Sequence, residues 1–147
     1  MRDTVDPDFA SFVDARQGRW LRTAYLVYGD VHRAEAVLLH AFTQLSTRWP
    51  RVDDPDIFVQ RQLYLPALRP WNRAKPFEGA EGQVELALAE LSPAQRAVFV
   101  LLHLEELTEF EVADLLGMSQ TAVHTHALTA FGIFRTALGA GDRKDAR

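Results

Sequence analysis

Helix punctuation constrains this chain more than any other feature. Asp6-Pro7, Asp54-Pro55 and Ser92-Pro93 each set a short acceptor side chain directly before a proline. Ser92-Pro93-Ala94-Gln95 and Thr108-Glu109-Phe110-Glu111 each have the form of a capping box. Such residues satisfy the first unpaired amides of a helix, and proline fits the first turn, where its missing N–H costs nothing. Period-two alternation of apolar and polar residues, the mark of a half-buried strand, is nearly missing. The pattern predicts an all-α protein.

Periodicity fills in the helices. After Asp6-Pro7, the residues Phe9, Phe12, Val13, Trp20, Leu21, Ala24 and Tyr28 recur at helical spacing, and Gly29 is a natural stop. Asp30 caps a second helix with Val31, Ala34, Leu38, Ala41, Phe42 and Leu45 on one face, finishing at Trp49-Pro50. Asp54-Pro55 opens a third carrying Val59, Leu63 and Ala67; Pro66 and Pro70 lie inside it and should kink it or end it early. Residues 74–83, with one proline and two glycines, read as a linker. A short helix then runs through Leu91, an apolar one follows Ser92, a third spans 109–116, and a last one runs from Gln120 to Leu138. The expected organisation is two small helical domains, 6–73 and 84–138, joined by that linker and followed by a disordered tail, 139–147.

At 147 residues and 48% hydrophobic composition the chain can bury a real core. No apolar run is long enough to cross a membrane, and the polar start lacks the apolar stretch of a signal peptide, so a cytoplasmic home and no membrane contact are expected. Absence of cysteine excludes disulfides and thiolate chemistry. The charge is unevenly spread: residues 1–74 carry ten arginines against nine acids, a balance of +1, and residues 75–147 carry six cations against eleven acids, a balance of −5. Between Gln83 and Leu138 the only basic residues are Arg96 and Arg135, against seven acids.

Residues 108–134 have the layout of a helix-turn-helix, with Ala113 at the close crossing, Gly117 at the turn, and Leu115, Leu116, Val123 and Phe131 as the apolar seam. Earlier blocks add order: Leu21-Arg22-Thr23-Ala24-Tyr25-Leu26, Gly29-Asp30, His32-Arg33-Ala34-Glu35 and Arg48-Trp49, then Asp54-Pro55, Val59, Arg61 and Trp71. Leu88-Ala89-Glu90-Leu91-Ser92-Pro93-Ala94-Gln95-Arg96-Ala97-Val98 and Leu115-Leu116-Gly117-Met118-Ser119 follow. Together they resemble, over about residues 8–138, the extracytoplasmic-function branch of the sigma-70 family. The resemblance implies a region 2 that docks on RNA polymerase core and opens the minus-ten element, and a region 4 that reads the minus-thirty-five element of promoter DNA.

Several positions depart from that family's pattern. In the polymerase-docking helix Glu35 remains, but the aspartate, glutamine and glutamate positions have become Ala36, Leu39 and His40. In the melting helix, Leu65, Pro66, Ala67, Leu68, Arg69 and Pro70 replace a polar and basic run, leaving Arg61, Arg69, Trp71 and Arg73 as candidate contacts to phosphates or a base. In the recognition helix the cationic positions are His124, Thr129 and Ile133, so only Ser119, Gln120, Thr121, His124, Thr125 and Thr129 remain to meet DNA. Backbone phosphate contacts supply most of such a domain's affinity, so promoter reading should be weak.

No other chemistry assembles. The serines lack a nucleophile-elbow context, and His124 and His126, two apart on a helix, cannot share a metal. His103 reads as a core or edge histidine. The chain is expected to be no enzyme and to use no cofactor or metal. Glu105, Glu106, Glu109, Glu111 and Asp114 read as a solvated helix face, or as an acidic dock for a basic partner. Two functions stay open: a sigma-type initiation factor with weakened promoter recognition, or a sigma-derived module whose apolar and acidic faces hold a protein partner or a second copy.

Overall fold

The computed structural model describes residues 5–69, 77 and 82–145, with side chains through 140. Trp71 and Arg73 lie outside the described residues. Among the described residues seven α-helices form: α1 Pro7–Tyr28, α2 Val31–Ser46, α3 Pro55–Tyr64, α4 Gln83–Ala89, α5 Pro93–His103, α6 Glu109–Leu116 and α7 Gln120–Asp145. No strand occurs among the described residues, so the chain is all-α.

The punctuation works as chemistry. The Asp6 carboxylate accepts from the amides of Asp8 and Phe9, that of Asp30 from His32 and Arg33, and that of Asp54 from Ile57. Both capping boxes close reciprocally at Ser92/Gln95 and Thr108/Glu111. Gly29 ends α1 with φ 75°, a left-handed conformation that a Cβ would make costly. As the prolines foretell, α3 stops at Tyr64 and Pro66 sits in the 3-10 turn Leu65–Leu68 that follows.

At the other end the helix outruns its expected stop. α7 continues past Leu138 to Asp145, through the stretch expected to be a disordered tail. Gly139 does not end it, because glycine inside a helix costs only about 1 kcal/mol relative to alanine and no proline follows.

α1, α2 and α3 pack on one another; α7 collects α4, α5 and α6. The core does not divide at residues 74–83. One apolar cluster runs from Phe12, Trp20 and Leu45 through Leu63 to Val98, Leu101, Leu115 and Val123. α5 rests on α1 and on the 3-10 turn, and α6 on α3. Trp20 is fully buried between Phe12 and Phe42, and Trp49 is half-buried with Phe9 and Phe12 each 5.4 Å from its ring, so both are core aromatics. A smaller cluster joins Phe77 to Leu88, Leu91, Phe99 and Ala130.

Candidate functional site

The expected polymerase-docking residues share one exposed face of α2. Glu35, Ala36, Leu39 and His40 all face solvent, while Ala34, Leu38 and Ala41 behind them are buried. Leu39 is 68% exposed, so it does not pad the core: it is an apolar group in water at the centre of that face.

The helix-turn-helix forms as its residues dictate. Gly117 takes φ 67° and its amide returns to the Ala113 carbonyl, which turns the chain from α6 into α7. The seam is Leu115, Leu116, Val123 and Ala130. Phe131 was expected there and is instead 50% exposed: one residue along a helix rotates a side chain by about 100°, and Ala130 holds the inward position. Phe131 lies beside His103, whose ring also stacks on Phe99 at 4.6 Å, so His103 is an exposed edge histidine.

Ser119, Gln120, Thr121, His124, Thr125 and Thr129 are all exposed along the start of α7. Several of these groups are already engaged. The Ser119 hydroxyl accepts from the Ala122 amide at 3.0 Å, and the Thr125 hydroxyl donates to the Thr121 carbonyl at 3.0 Å. His124 Nδ1 lies 2.8 Å from a Glu109 carboxylate oxygen of α6. A carboxylate therefore stands beside the side chain at the family's first cationic position. Ile133 cannot carry a charge to solvent easily, because it is half-buried against the cluster of Leu88 and Phe99.

On the first half, Arg61 and Arg69 are exposed at the end of α3 and of the following turn. The Arg61 guanidinium lies 3.6 Å from the Asp114 carboxylate of α6, a loose pair with both side chains exposed to solvent. The acids expected as a solvated face are thus partly consumed. Asp114 meets Arg61, Glu109 meets His124, Glu111 closes a cap, and the Glu105 side chain is only 3% exposed.

Sequence reasoning missed one central residue. Arg96 entered only a motif block and the charge balance of the second half, and it is fully buried. Its Nε donates to the Leu88 carbonyl and its Nη1 to the Val27 carbonyl, both at 3.0 Å, and its guanidinium lies 5.0 Å over the Phe77 ring. Val27 and Leu88 lie in the last turns of α1 and α4, so the cation sits at two helix C-termini, where the backbone dipoles leave negative charge. Two of its nitrogens are thereby satisfied, while Nη2 is buried with no hydrogen-bond partner among the described residues. Burial pushes its pKa down to about 10, which leaves it charged at neutral pH. A usable signal existed: Arg96 opens a helix that is apolar on nearly every side, and α1 has no basic residue in its own last turn.

Comparison with known proteins meets this geometry. The family described as Sigma-70, region 4 matches residues 81–130, which hold α4 to α6 and the first part of α7. An RNA polymerase sigma-E factor of Streptomyces coelicolor is 29% identical over 95% of this chain and 90% of its own length. One from Streptomyces avermitilis is 28% identical over 95% and 89%. Region 4 of the sigma-70 family is thus matched by the second half, and the chain is similar along nearly its whole length to these two sigma-E factors.

Proposed function

We propose that the chain works in the cytoplasm with RNA polymerase core in transcription initiation, as a sigma-type factor whose own grip on promoter DNA is weak. One observation carries the weakness. The exposed face that opens α7 offers hydroxyls, an amide and a histidine facing a carboxylate, and its first cation is Arg135, four turns along. Each phosphate contact that is lost removes a released counterion and with it affinity and salt dependence. The exposed face of Glu35, Ala36, Leu39 and His40 is the surface offered to the polymerase. No catalysis is assigned.

Reconstitution tests the reading. Core polymerase plus the full chain should give promoter-dependent transcripts from genomic DNA, while the chain alone should bind duplex DNA poorly, with a shallow dependence on salt. If no combination of core enzyme and genomic DNA yields a specific transcript, the proposal is wrong. The exposed Leu39 supports a second reading, a sigma-derived interaction module. That reading expects a stable complex with a protein other than polymerase, or with a second copy, and no gel shift at low salt.

A further inference from the structure

α7 leaves one flank of its exposed surface bare of charge. Val123 and Ala130 are fully buried and fix its inward direction. About 110° around the helix from them, His124, Leu128, Phe131 and Arg135 follow at intervals of four, three and four residues, which holds them in a single stripe. All four are exposed, Leu128 at 62% and Phe131 at 50%. From Gln120 to Ala140 the only formally charged residue is Arg135, so two large apolar groups meet water where a solvated helix face ordinarily carries charge. The elements packed beside the stripe give its ends opposite character. Glu109, at the start of α6, places a carboxylate oxygen 2.8 Å from His124 Nδ1, so that end is acidic. The His103 ring at the end of α5 lies 6.3 Å from Phe131 and widens the middle. Arg135 closes the other end and makes no ion pair among the described residues.

We infer that this stripe is where a second copy of the chain docks, α7 against α7 and antiparallel. The occupant follows from the order of the groups. Acid, leucine, phenylalanine and cation, evenly spaced about the middle, pair with their own reverse: cation against acid and leucine against phenylalanine. About a twofold axis between Leu128 and Phe131, Leu128 of one copy meets Phe131 of the other. Arg135 of each then meets the Glu109 carboxylate of the other. Such an interface is isologous: one patch is complementary to itself, and the assembly closes at two copies. A phosphate backbone would gain nothing from Leu128 and Phe131, and an unrelated protein would require no such symmetry. The stripe spans about 16 Å of helix, room for three turns of contact but too little for a permanent dimer, so exchange with monomer is expected. Dimerisation through α7 goes beyond the sigma-type reading and does not depend on it. It covers His124, and so withdraws one candidate DNA contact whenever two copies meet.

The test is sedimentation of the full chain over a wide range of concentration. The native chain should pass from monomer to dimer as concentration rises. Leu128→Gln with Phe131→Gln, both at exposed positions and so compatible with the fold, should weaken the dimer at least about tenfold. Leu39→Gln, at the exposed leucine of α2, should change it less than about twofold. Arg135→Glu should weaken it about fivefold, and Arg135→Glu with Glu109→Arg should restore it, because the exchanged charges meet again across the axis. Spin labels report the orientation. The chain has no native cysteine, and a Cβ at Gly132 meets nothing within 4 Å among the described residues. In an antiparallel pair, labels at Gly132→Cys, near the axis, should lie under about 20 Å apart, and labels at Gln120→Cys about 30 Å apart. A chain that stays monomeric at every concentration overturns the inference. So does a dimer that Leu39→Gln weakens and the double α7 variant does not, a charge exchange that restores nothing, or labels closer at Gln120 than at Gly132. Transcription with core polymerase, reconstituted with the native chain, decides the functional reading separately.

Discussion

α3 and α7 are the two helices with candidate contacts to DNA, and they withhold cations for different reasons. On α7 the cause is composition: His124, Thr129 and Ile133 stand at the family's cationic positions, and no change of conformation restores a charge. On α3 the cause is pairing: Arg61 is present and exposed, but Asp114 of α6 holds it. On α7 the charge is missing from the sequence, and on α3 it is present beside an acid.

The largest expected effect asks whether the two helices belong to one cooperative body. Arg96→Ala removes the donor to the Val27 and Leu88 carbonyls and the stem packed among α1, α4 and α5. Unpaired buried carbonyls make this cost about 2–4 kcal/mol. Calorimetry should show one transition at lowered temperature, because the apolar cluster is shared. Two separated transitions would place α3 and α7 on independently folding units, and the contact between Arg61 and Asp114 would lose its meaning.

Alkaline pH separates the halves by sign. Burial pushes the Tyr28 hydroxyl of α1 up to about 12, a shift that corresponds to about 2–3 kcal/mol. A raised acid contributes stability that is full below its unfolded value near 10 and lost as pH rises through its folded value. Arg96 of α5 runs the other way: its folded value of about 10 lies below the ordinary 12.5, so stability rises across the same window. Tyr64 tips the balance, since burial and the nearby Glu105 carboxylate raise it as well. Denaturant midpoints should fall between about pH 10 and about pH 12, and more steeply in Arg96→Met, where the opposing titration is gone. A midpoint that climbs with pH in the native chain would contradict these assignments.

Restoring cations to α7 sharpens the comparison directly. Thr129→Arg stands at an exposed position and should raise duplex affinity about tenfold and steepen the log–log salt slope by about 0.9, while His124→Lys, beside the Glu109 carboxylate, should gain less. Ile133→Arg should instead cost stability, because Ile133 packs against Leu88 and Phe99. If the two exposed substitutions leave duplex binding unchanged, composition is not what limits α7.

The fold was legible where local chemistry decides it. Asp6, Asp30, Asp54, Ser92 and Thr108 fix five helix starts, and Pro66 the end of a sixth boundary, through bonds within a few residues. The exposed faces of α2 and α7 followed from helical spacing, and Phe131 failed only because neighbouring positions compete for one seam. What periodicity could not reach was long-range pairing. Arg96 meets Val27 across 69 residues and Gln60 meets Glu105 across 45, and no local pattern encodes either. The acids of 105–114 looked solvated because they are numerous, yet Glu105 and Asp114 lie beside arginines of the first half.

Glu109→Gln carries the smallest expected effect and bears most narrowly on the difference between the helices. The pair it forms with His124 is exposed on both sides, so its loss should change stability by no more than about 0.5 kcal/mol. It also removes an acid beside the candidate DNA contacts at the start of α7, and duplex affinity should rise less than about threefold, because neutral hydroxyls and a histidine gain little from losing one neighbour. A gain as large as that of Thr129→Arg would mean that the neighbouring acid, and not the missing charge, limits α7. The two helices would then be alike, each with a nitrogen side chain beside a carboxylate of α6.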